Sequence, residues 1–231
     1  MKVLTISDTQ IPFAHPDALE FCKAVAKKEK PDLIIQIGDL IDIHSTSAYD
    51  PDPDGLSAGD ELAKTREELK AWAKVFPNMI ILLGNHDLRY HKAALRARIP
   101  RDVIKSFSDI LQTPKGWKYV ESHEEDGVLY LHGDESTGVT PNASIDLAKN
   151  SMQSVVHGHF HVNAGIQYFA NKRHLLFAFN TGCLTDTKAY AFNYSKKMIK
   201  KPILGVGIIE DGIPKFIPLQ LDSKGKWTKK L

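Results

Sequence analysis

The chain has 231 residues, 42% hydrophobic and 25% charged, and its 30 basic and 28 acidic side chains leave a formal net charge of +2. These totals describe an ordinary globular protein, one large domain or two small ones, able to bury a real core. They exclude a strong overall electrostatic field, so a nucleic-acid partner is neither demanded nor excluded by charge. Cys22 and Cys183 lie far apart without metal-type spacing, which reads as two buried free thiols in a reducing compartment. The N-terminal Met1–Asp8 turns polar too soon for a signal peptide, and no run is long enough to span a bilayer. The expectation is a cytoplasmic protein with no membrane partner.

Lys2–Ser7 alternates like a strand and stops at Asp8-Thr9-Gln10. Pro16-Asp17 opens an amphipathic helix through about Lys30, and Pro31 ends it. Asp32–Ile37 is a nearly continuous apolar run, a strand buried on both faces, and it breaks at Gly38-Asp39. This is a βαβ unit with acidic groups at the carboxyl ends of its strands. Ser45–Gly59 is a loop rich in Ser, Asp, Pro and Gly, and its acids lack the closing Glu and flanking helices of a calcium loop. Asp60–Lys74 is helical, and Asn78–Leu83 is a third buried strand ending at Gly84-Asn85-His86-Asp87. Leu88–Arg98 is a basic helix, and a further helix is expected from Pro100 to about Leu111.

From Trp117 the texture changes to short strands and turns. Trp117–Glu121 and Val128–Leu131 flank a turn at Asp126-Gly127 and are expected to form a hairpin, the second strand running into His132. A short helix, Asn142–Asn150, leads to Val155–His161. There His157, His159 and His161 alternate, and an extended backbone would put all three imidazoles on one face. Hairpins are expected at Ala164–Ala170 with His174–Phe179, and at Ile203–Glu210 with Ile213–Leu219. The whole of 1–231 reads as a single domain, with a flexible tail expected from about residue 222.

Five loops share a feature: each follows a strand and opens with a metal-binding side chain. They carry Asp8 with Gln10, Asp39, Asn85, His132, and His159 with His161. One Gly-Asp or Gly-Asn pair is a common turn, but five such loops in series are not explained by turn chemistry. The order closely resembles the calcineurin-like metallophosphoesterase superfamily. The matching residues are Asp8-Thr9-Gln10, Gly38-Asp39-Leu40-Ile41-Asp42, Gly84-Asn85-His86-Asp87, His132-Gly133 and Gly158-His159-Phe160-His161.

The resemblance implies an α/β fold, a four-layer αββα sandwich of two mixed sheets flanked by helices. It implies two divalent metal ions, one on Asp8, Gln10, Asp39 and His161 and the other on Asp39, Asn85, His132 and His159, with Asp39 bridging. It further implies hydrolysis of a phosphate ester by a metal-bridging hydroxide, with His86 as the acid at the leaving oxygen and Asp42 orienting it. Gln10 departs from the family, where most members carry His. A neutral amide oxygen favours Mn²⁺ or Mg²⁺ over Zn²⁺, with Fe²⁺ also open. An Asp-x-Gln loop also resembles the manganese-dependent ADP-ribose/CDP-alcohol diphosphatases, which points toward diester or pyrophosphate substrates.

Arg89 and Tyr90, at a helix N-terminus beside the Gly-Asn-His-Asp motif, are candidate substrate contacts. His157 is a candidate eighth ligand or substrate contact, but the resembling pattern favours a residue packed or hydrogen-bonded behind the site. His15, His44 and His91 lie one short loop beyond ligand motifs and could touch phosphate. Basic stretches at Arg89–Arg101 and Lys196–Lys201, with Tyr190, Phe192 and Tyr194 beside the second, could track a nucleic-acid strand. The leading expectation is a phosphodiesterase on nucleotide or nucleic-acid substrates. A phosphomonoesterase or protein phosphatase, and a non-catalytic binding subunit, are its rivals.

Overall fold

In the computed structural model the described residues are 1–47, 52, 54–136, 142–189 and 199–231. In chain order the elements are β1 (Lys2–Ile6), α1 (Ala18–Glu29), β2 (Leu33–Gln36), α2 (Ala58–Val75), β3 (Met79–Leu82), α3 (Arg89–Arg96) and α4 (Phe107–Leu111). There follow β4 (Trp117–Val120), β5 (His123–Glu125), β6 (Val128–Tyr130), α5 (Ala143–Ser151), β7 (Ser154–His157), β8 (Gly165–Ala170), β9 (Leu175–Asn180), β10 (Gly205–Glu210) and β11 (Ile213–Pro218).

Strand parity sets the layers. Leu4 and Ile6 of β1 and Ile81 of β3 pack into one apolar cluster, while Val3, Ile35 and Leu82 pack into another on the opposite face. The first cluster lies under α1 and α2. α1 buries Ala18, Phe21, Cys22 and Val25, the stripe expected of a helix lying on a sheet. α2 starts on Ser57, whose Oγ accepts from the Asp60 amide at 3.2 Å, and buries Leu69 and Trp72.

The second cluster holds Val128, Tyr130, Val156, Phe177 and Phe179 as well, so it is the seam between two sheets. A third cluster joins Leu147 and Ala148 of α5 to Val155 and Ala178. The layers therefore run helix, sheet, sheet, helix. One sheet has the order β11-β10-β1-β2-β3-β4 and the other β5-β6-β7-β9-β8. Both are mixed: β1 to β4 are parallel and β10 and β11 antiparallel, while β6, β7 and β9 are parallel with antiparallel β5 and β8 at the edges. The four-layer αββα sandwich is the observed fold.

Three local expectations are corrected. The hairpin at Asp126-Gly127 pairs β5 with β6, while β4 lies in the other sheet, parallel to β3. Trp117 anchors it there, 4% exposed and donating from Nε1 to the Phe76 carbonyl at 2.7 Å. The helix expected after Pro100 is a short 3-10 turn at Arg101–Val103 followed by α4. The C-terminal stretch is docked: Trp227 is 8% exposed, packs edge-on against Phe21, and donates from its amide to Asp17 Oδ2 at 2.9 Å. Part of the Ser45–Gly59 loop, and Tyr190, Phe192, Tyr194 and the first half of Lys196–Lys201, lie outside the described residues. Among the described residues no helix is long and apolar enough to cross a membrane.

Candidate metal centre

The strand ends converge through backbone that turns sharply. Asp8, Gln10, Asp39 and His159 all have left-handed conformations, with φ of 48°, 48°, 51° and 66°. Such values are uncommon away from glycine, and clusters of them mark sites held by their surroundings. The holding contacts are backbone bonds between loops: Asp8 N to Gly38 O at 3.1 Å, Gln10 N to Asp39 O at 2.9 Å, and Gly158 N to His132 O at 2.9 Å. Two glycines permit the close approach. A Cβ on Gly38 would meet the His132 ring, and one on Gly84 would meet the Asp39 carboxylate.

The donors then fall together. His161 Nε2 lies 3.0 Å from Asp8 Oδ1, and Asp8 Oδ2 accepts from Ser7 Oγ and from the His159 amide at 3.0 Å. His132 Nε2 lies 3.3 Å from both Asp39 Oδ2 and Asn85 Oδ1. Donor atoms of Asp39, His132 and His159 lie within 4.8 Å of one another. His132 donates from Nδ1 to the Ile37 carbonyl at 2.9 Å, which turns Nε2 toward this cluster. Burial disfavours a charge on His132, but Asp39 and Asp8 outweigh it and hold its pKa well above the ordinary value. Burial also works against the Asp39 carboxylate. The charges of His132 and His86 prevail and keep it well below the usual carboxylate range.

Beside this cluster, His86 donates from Nδ1 to Asp42 Oδ1 at 2.5 Å, and its own amide donates to Asp39 Oδ1 at 2.8 Å. Arg89 donates from Nη1 to the Asp42 carbonyl at 2.7 Å and from Nη2 to His86 Nε2 at 3.1 Å. Gln10 Nε2 lies 3.4 Å from His86 Nδ1, while its Oε1 is buried without a hydrogen-bond partner among the described residues.

Two other expected residues stand outside the cluster. Tyr90 donates its hydroxyl to the Ala58 carbonyl at 3.4 Å, joining α3 to the start of α2. His157 is fully buried, with both ring nitrogens satisfied inside the protein, so its candidacy as a substrate contact is corrected. It donates from Nδ1 to the Gly158 carbonyl at 2.9 Å and accepts from Ser144 Oγ at 2.8 Å. Burial pushes its pKa down to about 4, keeping it neutral. The strand ends at His157 and the left-handed His159 breaks the alternation, so the three imidazoles do not share a face. His15 is tied to Asp17 N and Gly225 O, His44 Nδ1 lies 3.9 Å from Asp42 Oδ2, and His91 stacks on Phe107.

Two supports escaped the sequence reading. Asp87 accepts from the Gly84 amide at 2.9 Å and the Ile41 amide at 3.1 Å, bracing two of the loops. Burial and the nearby Asp39 charge raise its pKa to about 7. Glu61 of α2, 1% exposed, accepts from the His44 and Ser45 amides at 2.7 and 2.9 Å and fixes the chain beyond Asp42. An acid three residues after the glycine of a tight turn was the available signal for Asp87; Glu61 had none.

The donor set suits divalent metal. It mixes carboxylate and amide oxygens with imidazole nitrogen, the His132 tautomer leaves Nε2 available, and Gln10 Oε1 is an orphaned buried oxygen that a cation would satisfy.

Fold and donor set together define a phosphoesterase framework, and the profile of the calcineurin-like phosphoesterase family matches residues 1–163. The chain belongs to that family, which implies divalent metal ions and phosphate-ester chemistry. It is 29% identical over 181 residues, 69% of each chain, to the Gene 54 protein of Mycobacterium phage D29. In fold it is similar to Vps29 of Chaetomium thermophilum, at 11% identity and TM-score 0.50 over 99% of this chain and 94% of that one. It is also similar to Yfce, a phosphoesterase from E. coli, at 14% identity and TM-score 0.44 over 100% and 98% of the two chains.

Proposed function

We propose that this protein is a two-metal phosphodiesterase acting on nucleotide or nucleic-acid substrates. The observation that carries the reading is the place of Asp39. Its carboxylate is 1% exposed, with Oδ2 3.3 Å from His132 Nε2 and 3.8 Å from His86 Nε2. The Asp39 charge also acts on Asp8, which supports a place near donors of both proposed groups. Asp8, Gln10, Asp39 and His161 would hold one ion, and Asp39, Asn85, His132 and His159 the other. When bound, the ions would supply Lewis-acid stabilisation of phosphoryl charge and an acidified water.

The chain's own residues supply the rest. His86, oriented by Asp42, delivers a proton to the leaving oxygen from Nε2 once Arg89 no longer caps that atom. Arg89 turns to the substrate phosphate, for which a guanidinium fork is well shaped. The amide oxygens of Gln10 and Asn85 favour Mn²⁺, and Gln10 is the residue that tilts the reading toward diesters.

The test is turnover of bis-p-nitrophenyl phosphate against p-nitrophenyl phosphate with Mn²⁺, Mg²⁺ and Zn²⁺, on wild type and His86→Ala. Diester turnover that requires Mn²⁺ and His86 is expected. Monoester preference would overturn the diester assignment, and no turnover with any metal would overturn the enzyme reading.

A further inference from the structure

A cavity of about 590 Å³ lies between α3, the Arg101–Val103 turn, α4 and β4. Its volume falls within the range of ~300–1,000 Å³ typical of small-ligand sites. Its wall has two chemical characters. One is aromatic: His91, Phe107 and Tyr119 form a near-parallel stack, with centroids 4.2 Å apart at 25° and 5.6 Å apart at 22°. The other is cationic: Arg101 and Lys105 line the same cavity, whose lining contains no acid among the described residues. Among the described residues neither cation has a carboxylate partner within ion-pair distance. The nearby Asp109 carboxylate is held by Ser106 Oγ at 2.6 Å, within the cap of α4. Leu95, 36% exposed, adds an apolar edge.

Stacked rings beside unpaired cations are complementary to a planar base carrying a phosphate. An apolar peptide would leave the cations unmatched, and inorganic phosphate would leave the rings unused. The cavity also adjoins the proposed centre. α3 begins at Arg89, which touches His86, and presents His91 to the cavity two residues later. Tyr119 feels the Asp87 charge as well as its own burial, and both raise its pKa.

We infer that this cavity is a subsite for one nucleotide unit, its base packed on the His91–Phe107–Tyr119 stack and its phosphate paired with Arg101 and Lys105. The inference rests on the reading of the centre as a nucleotide phosphodiesterase. A strand long enough to reach both the centre and the cavity would place a flanking nucleotide here, and a free nucleotide offers the same chemistry.

The test is direct binding to the full chain, by fluorescence anisotropy of ethenoadenosine monophosphate, with Mn²⁺ and with a chelator. Binding that persists without metal is expected. Arg101→Glu with Lys105→Glu should weaken it by about tenfold or more, and His91→Ala by several-fold. Ethenoadenosine, which lacks the phosphate, should bind about tenfold more weakly. Thermal melting of each variant separates loss of the subsite from loss of the fold. A single-stranded oligonucleotide that binds more tightly than the mononucleotide would identify a strand, and equal affinity a free nucleotide; either keeps the subsite. No metal-independent binding, or binding unchanged in both variants, would overturn it. Diester turnover without such binding would reject the subsite alone, whereas binding without any turnover would reject the phosphodiesterase and leave a nucleotide-binding cavity.

Discussion

Arg89 Nη2 lies 3.1 Å from His86 Nε2, a contact that only a neutral imidazole can accept because a guanidinium has no acceptor atom. His86 is therefore under opposed influences. Burial disfavours its charge, Asp39 and Asp42 favour it strongly enough to raise its pKa overall, and Arg89 opposes it. In the proposed reaction, Arg89 would act as a cap that must leave before His86 serves as the acid.

Removing the cap has a signed consequence. Arg89→Ala deletes a positive charge beside His86, so the imidazolium should persist to higher pH. The alkaline limb of the kcat/KM profile for bis-p-nitrophenyl phosphate should move upward. KM should rise roughly ten- to hundredfold, since hydrogen bonds to charged groups are worth ~1.5–3 kcal/mol. An unmoved alkaline limb would mean that His86 is not the group titrating there.

His86→Ala should lower diester turnover by about 10²–10⁴, the range for loss of a general acid, with the metals retained. Asp42→Asn should lower it less, because the ring keeps a hydrogen-bond partner and loses only the charge. Metal analysis of both proteins checks the assignment. Loss of metal from His86→Ala would make it a ligand rather than the acid.

Gln10 offers an unpartnered Oε1 where an imidazole is the family habit. Gln10→His should tighten one of the two sites and shift preference from Mn²⁺ toward Zn²⁺, as imidazole is the softer donor. Competition titrations with the two metals read this directly. Identical affinities in wild type and variant would exclude Gln10 as a ligand.

If His132 is a metal ligand as proposed, protons and metals compete for it. Its pKa is raised, chiefly by Asp39 and Asp8 acting against burial, from an ordinary value of about 6.5. In metal-free protein the His132–Asp39 pairing should stabilise the fold fully below about pH 6.5, and that contribution should fade as pH climbs through the elevated value. Metal requires the neutral Nε2, so Mn²⁺ affinity should rise over the same interval and binding should release protons. Calorimetry in buffers of different ionisation enthalpy measures the release. A buffer-independent heat would contradict it.

Much of this was legible because buried parallel strands are apolar runs and their ends are polar. Asp8, Asp39, Asn85 and His132 stand out for that reason, and the structure gathers them. The misreadings share a cause: local pattern does not report non-local contacts. His157 matched the alternation of His159 and His161, yet a left-handed residue at His159 sends the chain out of the strand. β4 sits close in sequence to the Asp126-Gly127 turn but pairs with β3. Trp227 sits among lysines, and its site on Phe21 is made by a helix some 200 residues earlier in the chain.

That docking predicts a stability effect remote from the centre. Trp227→Ala should lower unfolding free energy by about 3 kcal/mol, at the low end for large buried aromatics, because the indole lies at the edge of the core. Urea denaturation checks it. An unchanged midpoint would mean that the C-terminal stretch contributes nothing to the fold.

The most direct test of the central claim is anomalous scattering from crystals of the Mn²⁺-loaded protein. Two peaks about 3.5–4 Å apart, one on each side of the Asp39 carboxylate, are expected. A single ion, or a pair that does not share Asp39, would contradict the two-metal account.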